Sequence, residues 1–165
     1  MKKFLSVILS ILLVVSFAFF AIGSSSSDDE KSTQKAGKAN NSAEENQLGE
    51  YSLEIKSART TKNWEGKPTI VVTYGFTNNS DDSTSFYVAF QDNAYQNGVG
   101  LERSYTMEDG DPYDEANQSK DIKPGASIDV EVAYILNDTE TDVEVEVEEL
   151  FSFDDKIISK TFSIE

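Results

Sequence analysis

The stretch Val143-Glu144-Val145-Glu146-Val147-Glu148 decides the fold class. Valine and glutamate alternate strictly, and period-two spacing puts the valines on one face of a strand and the glutamates on the other, about 7 Å apart along it. The valines are expected to enter a core and the glutamates to face water. Like charges on that face, joined by Asp129 and Glu131 if their strand is the neighbour, would also discourage edge-to-edge pairing with another molecule.

The same pattern recurs on both sides. Toward the C-terminus, Ile158, Lys160, Phe162 and Ile164 alternate with Ser159, Thr161 and Ser163. Toward the N-terminus, Ile128, Val130, Val132 and Tyr134 alternate with Asp129, Glu131 and Ala133 after a turn at Lys123-Pro124-Gly125. Leu53 and Ile55 mark a strand near Tyr51 to Thr60, and Asn63-Trp64-Glu65-Gly66-Lys67-Pro68 supplies turn chemistry before a second at Ile70 to Thr77. That strand shows Ile70, Val72, Tyr74 and Phe76 on one face. After the loop Asn78-Asn79-Ser80-Asp81-Asp82, the alternation of Phe86, Val88 and Phe90 with Tyr87, Ala89 and Gln91 predicts a third strand. A long polar insertion, from about Asp92 to Lys120, then contains a tight turn at Asn97-Gly98 and a helix start at Asp111-Pro112. About seven short strands separated by polar turns predict an all-β, antiparallel immunoglobulin-like sandwich over residues 50–165.

The chain ahead of that domain is of a different kind. Lys2 and Lys3 precede an apolar run from Phe4 to Ile22, and the sequence turns polar at Gly23, with Asp28, Asp29 and Glu30 following. This is an export signal or a membrane anchor, a hydrophobic helix over residues 1–23 that leaves the rest of the chain outside the cytoplasm. The run exceeds the roughly 7–15 residues of an ordinary signal core, which favours retention in the membrane. Ala21 and Gly23 are nevertheless small residues at the positions a signal peptidase reads, so cleavage after Gly23 stays open. Residues 24–49, rich in Ser, Asn, Gln, Lys and Glu and lacking aromatics, read as a disordered polar linker.

Of the 165 residues, 30 are Asp or Glu and 14 are Lys or Arg, for a net charge of −16. Residues 1–49 hold five basic and five acidic side chains, so the whole excess belongs to the domain. Nucleic acid is a poor partner for such a surface. The chain has neither histidine nor cysteine, which removes the common catalytic triads, thiol nucleophiles and metal sites built on those residues. No Gly-rich phosphate loop appears and no cofactor is implied. An enzyme on this chain would need facing carboxylates, and the expectation is a non-catalytic protein.

Two candidate sites follow. Asp109, Asp111, Asp114 and Glu115, with Glu108, lie close together in the long loop and are the oxygen ligands a calcium ion would take. Against the EF-hand template, however, Tyr113 replaces an oxygen ligand, Asp114 stands where Gly belongs, and Lys120 occupies the place of the bidentate Glu. A solvated acidic loop has the same composition. Trp64, in a turn between Asn63 and Glu65, is either a partner-binding anchor that would stack on a sugar or a protein surface, or a cover over the end of the sandwich.

The run Gly66-Lys67-Pro68-Thr69-Ile70-Val71-Val72-Thr73-Tyr74, leading into Phe76-Thr77-Asn78-Asn79-Ser80, resembles the exported domain called domain of unknown function 5067. Gln96-Asn97-Gly98-Val99, Asp121-Ile122-Lys123-Pro124-Gly125, Ala133-Tyr134-Ile135-Leu136-Asn137-Asp138 and Glu149-Leu150-Phe151-Ser152-Phe153 carry the same resemblance. It implies a telokin-like or immunoglobulin-like sandwich on surface proteins of Gram-positive bacteria, often lipoproteins or membrane-anchored, with no catalytic residues to transfer. Ser24 stands where a lipid-bearing cysteine would be expected, so lipidation does not carry over to this sequence. The combined expectation is a module at the extracytoplasmic face of the membrane, or secreted, that binds a protein or wall polymer. The alternative is a calcium-responsive structural domain.

Overall fold

The computed structural model describes residues 46–164. The expected N-terminal helix over residues 1–23 and most of the expected linker lie outside the described residues. Within them, no helix is long and apolar enough to cross a membrane.

Among the described residues nine strands form two antiparallel sheets. The first has the order β1-β2-β3-β7-β6, built from β1 (Gln47–Leu48), β2 (Tyr51–Lys62), β3 (Pro68–Asn78), β7 (Ser127–Ile135) and β6 (Arg103–Ser104). The second has the order β5-β4-β8-β9, built from β5 (Val99–Gly100), β4 (Phe90–Gln96), β8 (Val143–Glu149) and β9 (Ile157–Phe162). The expected immunoglobulin-like sandwich is therefore the architecture. Val143, Val145 and Val147 are fully buried from the second sheet, facing Ile70, Val72, Tyr74 and Phe76 from the first. Each such valine contributes roughly 1.5–3 kcal/mol of apolar transfer, so the period-two faces of these strands account for much of the cohesion between the sheets.

At one end the core is aromatic. Phe76 and Phe90 meet edge to face at 5.2 Å between ring centroids, Tyr51 packs on both, and Phe86 completes the cluster against Tyr74. A smaller apolar layer lies on the outer face of the first sheet, where Met107 and Tyr113 cover Val71 and Ala133. The long loop after β6 is thus packed against the sheet.

Four expectations change. The third strand predicted through Phe86 to Gln91 is a single helical turn, Phe86–Ala89, followed by β4. Its apolar spacing fits both periods: Phe86, Ala89 and Phe90 are buried, but Val88, inward under the strand reading, is 53 % exposed. The Ser85 carbonyl accepts from the amides of Val88 and Ala89, which closes the turn. The helix expected from Asp111-Pro112 begins later, as a short 3-10 turn over Glu115–Ser119 with Asp114 as its cap. The linker ends earlier than Gly49, because Gln47 and Leu48 pair with β2 and Leu48 is buried in the core. Finally, β8 is paired on both sides, to β4 and β9 and not to the strand of Asp129 and Glu131, so its glutamates protect no edge.

One turn behaves as expected. Asn97 and Gly98 both have positive φ (52° and 74°), the left-handed pair that a two-residue hairpin between β4 and β5 requires. Gln96, at the end of β4, is buried and holds the β7–β8 connection through its side chain. Its Oε1 accepts from the Asn137 amide at 2.8 Å and its Nε2 donates to the Thr141 carbonyl at 2.8 Å.

Candidate functional site

Along β4, Phe90, Asp92, Ala94 and Gln96 point inward, so one carboxylate enters the interior among apolar neighbours. Asp92 is only 4 % exposed. Burying an unpaired charge is costly, and the opposite sheet supplies the compensation. Arg103 on β6 and Tyr134 on β7 are register partners in that sheet, and both donate to Asp92, the guanidinium to Oδ1 and the hydroxyl to Oδ2. Burial raises the Asp92 pKa above the ordinary 3.8, opposed by Arg103 and then by Tyr134. Burial likewise drives the Tyr134 hydroxyl well above the usual tyrosine range. Among the described residues the buried Tyr74 hydroxyl has no hydrogen-bond partner, and burial raises its pKa as well.

Asp92 and Arg103 of this network reach the base of a groove. The chain leaves the second sheet at Gly100 and enters the first at Arg103, and the side of the sandwich next to this crossing holds a cleft of about 320 Å³. Phe90, Asp92 and Arg103 line it together with Gln91 and Asn93 of β4, Tyr87, Tyr105 and Leu150. Tyr87 and Tyr105 are 66 % and 59 % exposed, and among the described residues neither ring stacks on another aromatic. Arg103 keeps 23 % of its side chain exposed while Asp92 keeps 1 %. The carboxylate thus orients the guanidinium from below. The groove offers aromatic walls, two side-chain amides and a fixed Arg, a set suited to holding a ligand.

The residues singled out in the sequence lie elsewhere. Trp64 is 68 % exposed in the β2–β3 turn and does not line the groove; its amide donates to the Thr106 carbonyl, next to Tyr105. Asp111 is clamped by Arg59, whose Nη1 and Nη2 each donate at 2.8 Å, and it accepts from Thr61 Oγ1 at 2.7 Å. The Arg59 hydrogen bonds lower its pKa below 3.8. Asp114 accepts from the Ala116 amide, while Asp109 and Glu115 are exposed. Among the described residues no three acidic side chains gather in a way that could hold a metal ion. The loop carboxylates that are engaged fasten the loop to the sheet and shape its 3-10 turn.

The strand expected through Phe86 to Gln91 stops one residue short of Asp92, so the sequence alone does not reveal the Asp92 network. The signal in the sequence is Asp92 at an inward position of the run Phe90-Gln91-Asp92-Asn93-Ala94, a charge that needs a partner once buried; Arg103, with Glu102 next to it, is not singled out locally.

The fold recurs in solved structures. A candidate lipoprotein from Staphylococcus aureus subsp. aureus NCTC 8325 superposes with a TM-score of 0.53 at 20 % identity, covering 70 % of this chain and 84 % of its own. A protein from Enterococcus faecalis, solved by NMR, superposes with a TM-score of 0.52 at 20 % identity, covering 72 % and 88 %. No curated protein matches the sequence. The model of the domain of unknown function 5067 matches residues 24–149, most of the chain and every strand of the sandwich except β9, and the protein belongs to that family.

Proposed function

We propose that this protein is an exported, membrane-tethered module of a Gram-positive-type cell envelope that binds an envelope component without acting on it chemically. The N-terminal apolar run flanked by Lys2 and Lys3 supports export, and the candidate lipoprotein among the similar folds agrees with a surface location. The observation that carries the binding reading is the groove beside β4. It combines exposed Tyr87 and Tyr105 rings with a base fixed by a buried ion pair, so a ligand meets groups already held in place. The buried Asp92 is spent on Arg103 and Tyr134, which suits a positioning role.

The test is cosedimentation of the full-length protein, reconstituted in lipid nanodiscs, with purified cell-wall sacculi. Retention that falls about tenfold in a Tyr87→Ala, Tyr105→Ala double variant is expected. Retention by neither sacculi nor any other envelope fraction, or retention that ignores the double variant, rejects the reading.

A further inference from the structure

We infer that the groove between β4 and β6 is a subsite for an uncharged sugar chain, with Tyr87 and Tyr105 as its stacking platforms and Gln91, Asn93 and Arg103 as its hydrogen-bonding groups. The inference rests on the binding reading above and names the class of ligand.

Three features select that class. A sugar ring has an apolar C–H face and a rim of hydroxyls that both donate and accept, so it needs flat aromatic surface next to polar groups of mixed character. Two largely exposed tyrosine rings beside two side-chain amides provide that pairing, since a tyrosine joins an apolar ring to a polar tip and an amide presents donor and acceptor together. Charge then separates neutral from anionic chains. Arg103 is already matched by Asp92, so it brings donors but little net charge, and a chain of net charge −16 repels phosphate- or carboxylate-rich polymers. Size and edge geometry separate sugar from peptide. About 320 Å³ is the low end for a small-molecule cleft. On the β4 edge beside it, β5 pairs with Tyr95 and Gln96 and the Leu101 amide donates to the Ala94 carbonyl, so an added strand would have four residues, Phe90 to Asn93, to pair with.

The experiment uses the full-length protein in nanodiscs, titrated separately with the tetramers of β-linked N-acetylglucosamine, β-linked glucose and α-linked glucose. Binding is read by saturation-transfer NMR and by shifts of the tyrosine ring signals. At least one tetramer is expected to bind, and Tyr87→Ala or Tyr105→Ala is expected to weaken it about three- to tenfold. Trp64→Ala should leave binding unchanged, and thermal melts should show all three variants folded. Failure of all three saccharides while sacculi or a protein still bind through the groove overturns the sugar assignment and leaves the binding reading standing. A peptide or poly(glycerol phosphate) that competes better than any tetramer has the same meaning. Sugar binding abolished by Trp64→Ala but not by the tyrosine variants also overturns it, by placing the site in the β2–β3 turn. Absence of groove-dependent binding to any fraction removes both proposals.

Discussion

The hydroxyl of Tyr134 donates to the carboxylate of Asp92 through the interior, joining β7 of one sheet to β4 of the other. Together with Arg103 it keeps a buried carboxylate satisfied. Removal of one donor leaves that group short of a partner, and Tyr134→Phe should cost about 1–3 kcal/mol at neutral pH. The pH dependence has a definite sign. Tyr134 favours the ionised form of a group whose folded pKa burial has raised above 3.8, so its loss costs most while Asp92 is charged. The cost should be full above the folded pKa of Asp92 and should shrink as pH falls through it. Urea melts of both proteins at pH 7 and pH 3 measure this; an equal cost at both pH values would contradict the assignment.

Asp111 has the opposite sign. The Arg59 clamp lowers its pKa below 3.8, so its contribution is present above the unfolded value and is lost as pH falls through the depressed one. Asp111→Asn should destabilise by about 1–3 kcal/mol at pH 7, with the difference from wild type closing under acid conditions below pH 3.8. Thermal melts across that range read the closure directly.

Calcium tests the same loop differently. With Asp111 engaged by Arg59 and Thr61, millimolar calcium should raise the melting temperature no more than sodium at matched ionic strength. A calcium-selective rise that disappears in an Asp109→Asn, Asp111→Asn variant would establish the cation-responsive alternative.

The register of β8 gives a sharp contrast in stability. Val145 is fully buried and faces Ala94 and Lys160 as strand partners, whereas Glu146 is partly exposed on the outer face. Val145→Asp should cost about 3 kcal/mol or more and Glu146→Lys less than about 1 kcal/mol. Denaturant midpoints of the two variants decide the ranking.

Retention of the N-terminal segment is the expectation for the whole chain, because the apolar run from Phe4 to Ile22 outlasts an ordinary signal core. Fractionation of cells and N-terminal sequencing should find the intact segment in the membrane. Recovery mainly from the medium, with Ser24 as first residue, would show cleavage.

The two-faced strands β2, β3, β7 and β8 are legible in the sequence alone, because alternation is a local property and the inward residues Leu53, Tyr74, Val132 and Val145 declare it within a few positions. So is the Asn97-Gly98 hairpin, where backbone conformation depends on those two residues alone. The rest depends on how the two sheets pack. Phe86, Val88 and Phe90 satisfy a strand period, yet the aromatic cluster takes Phe86, Ala89 and Phe90 and leaves Val88 outside. A two-residue strand such as β6 has no period to read, and only its pairing with β7 brings Arg103 beside Tyr134 and opposite Asp92. The acidic loop shows the same limit: its composition admits a cation, but Asp111 meets Arg59 across fifty-two positions of chain. Charge partners and grooves are made by strands that are distant in sequence, and their geometry exists only once both sheets are in place.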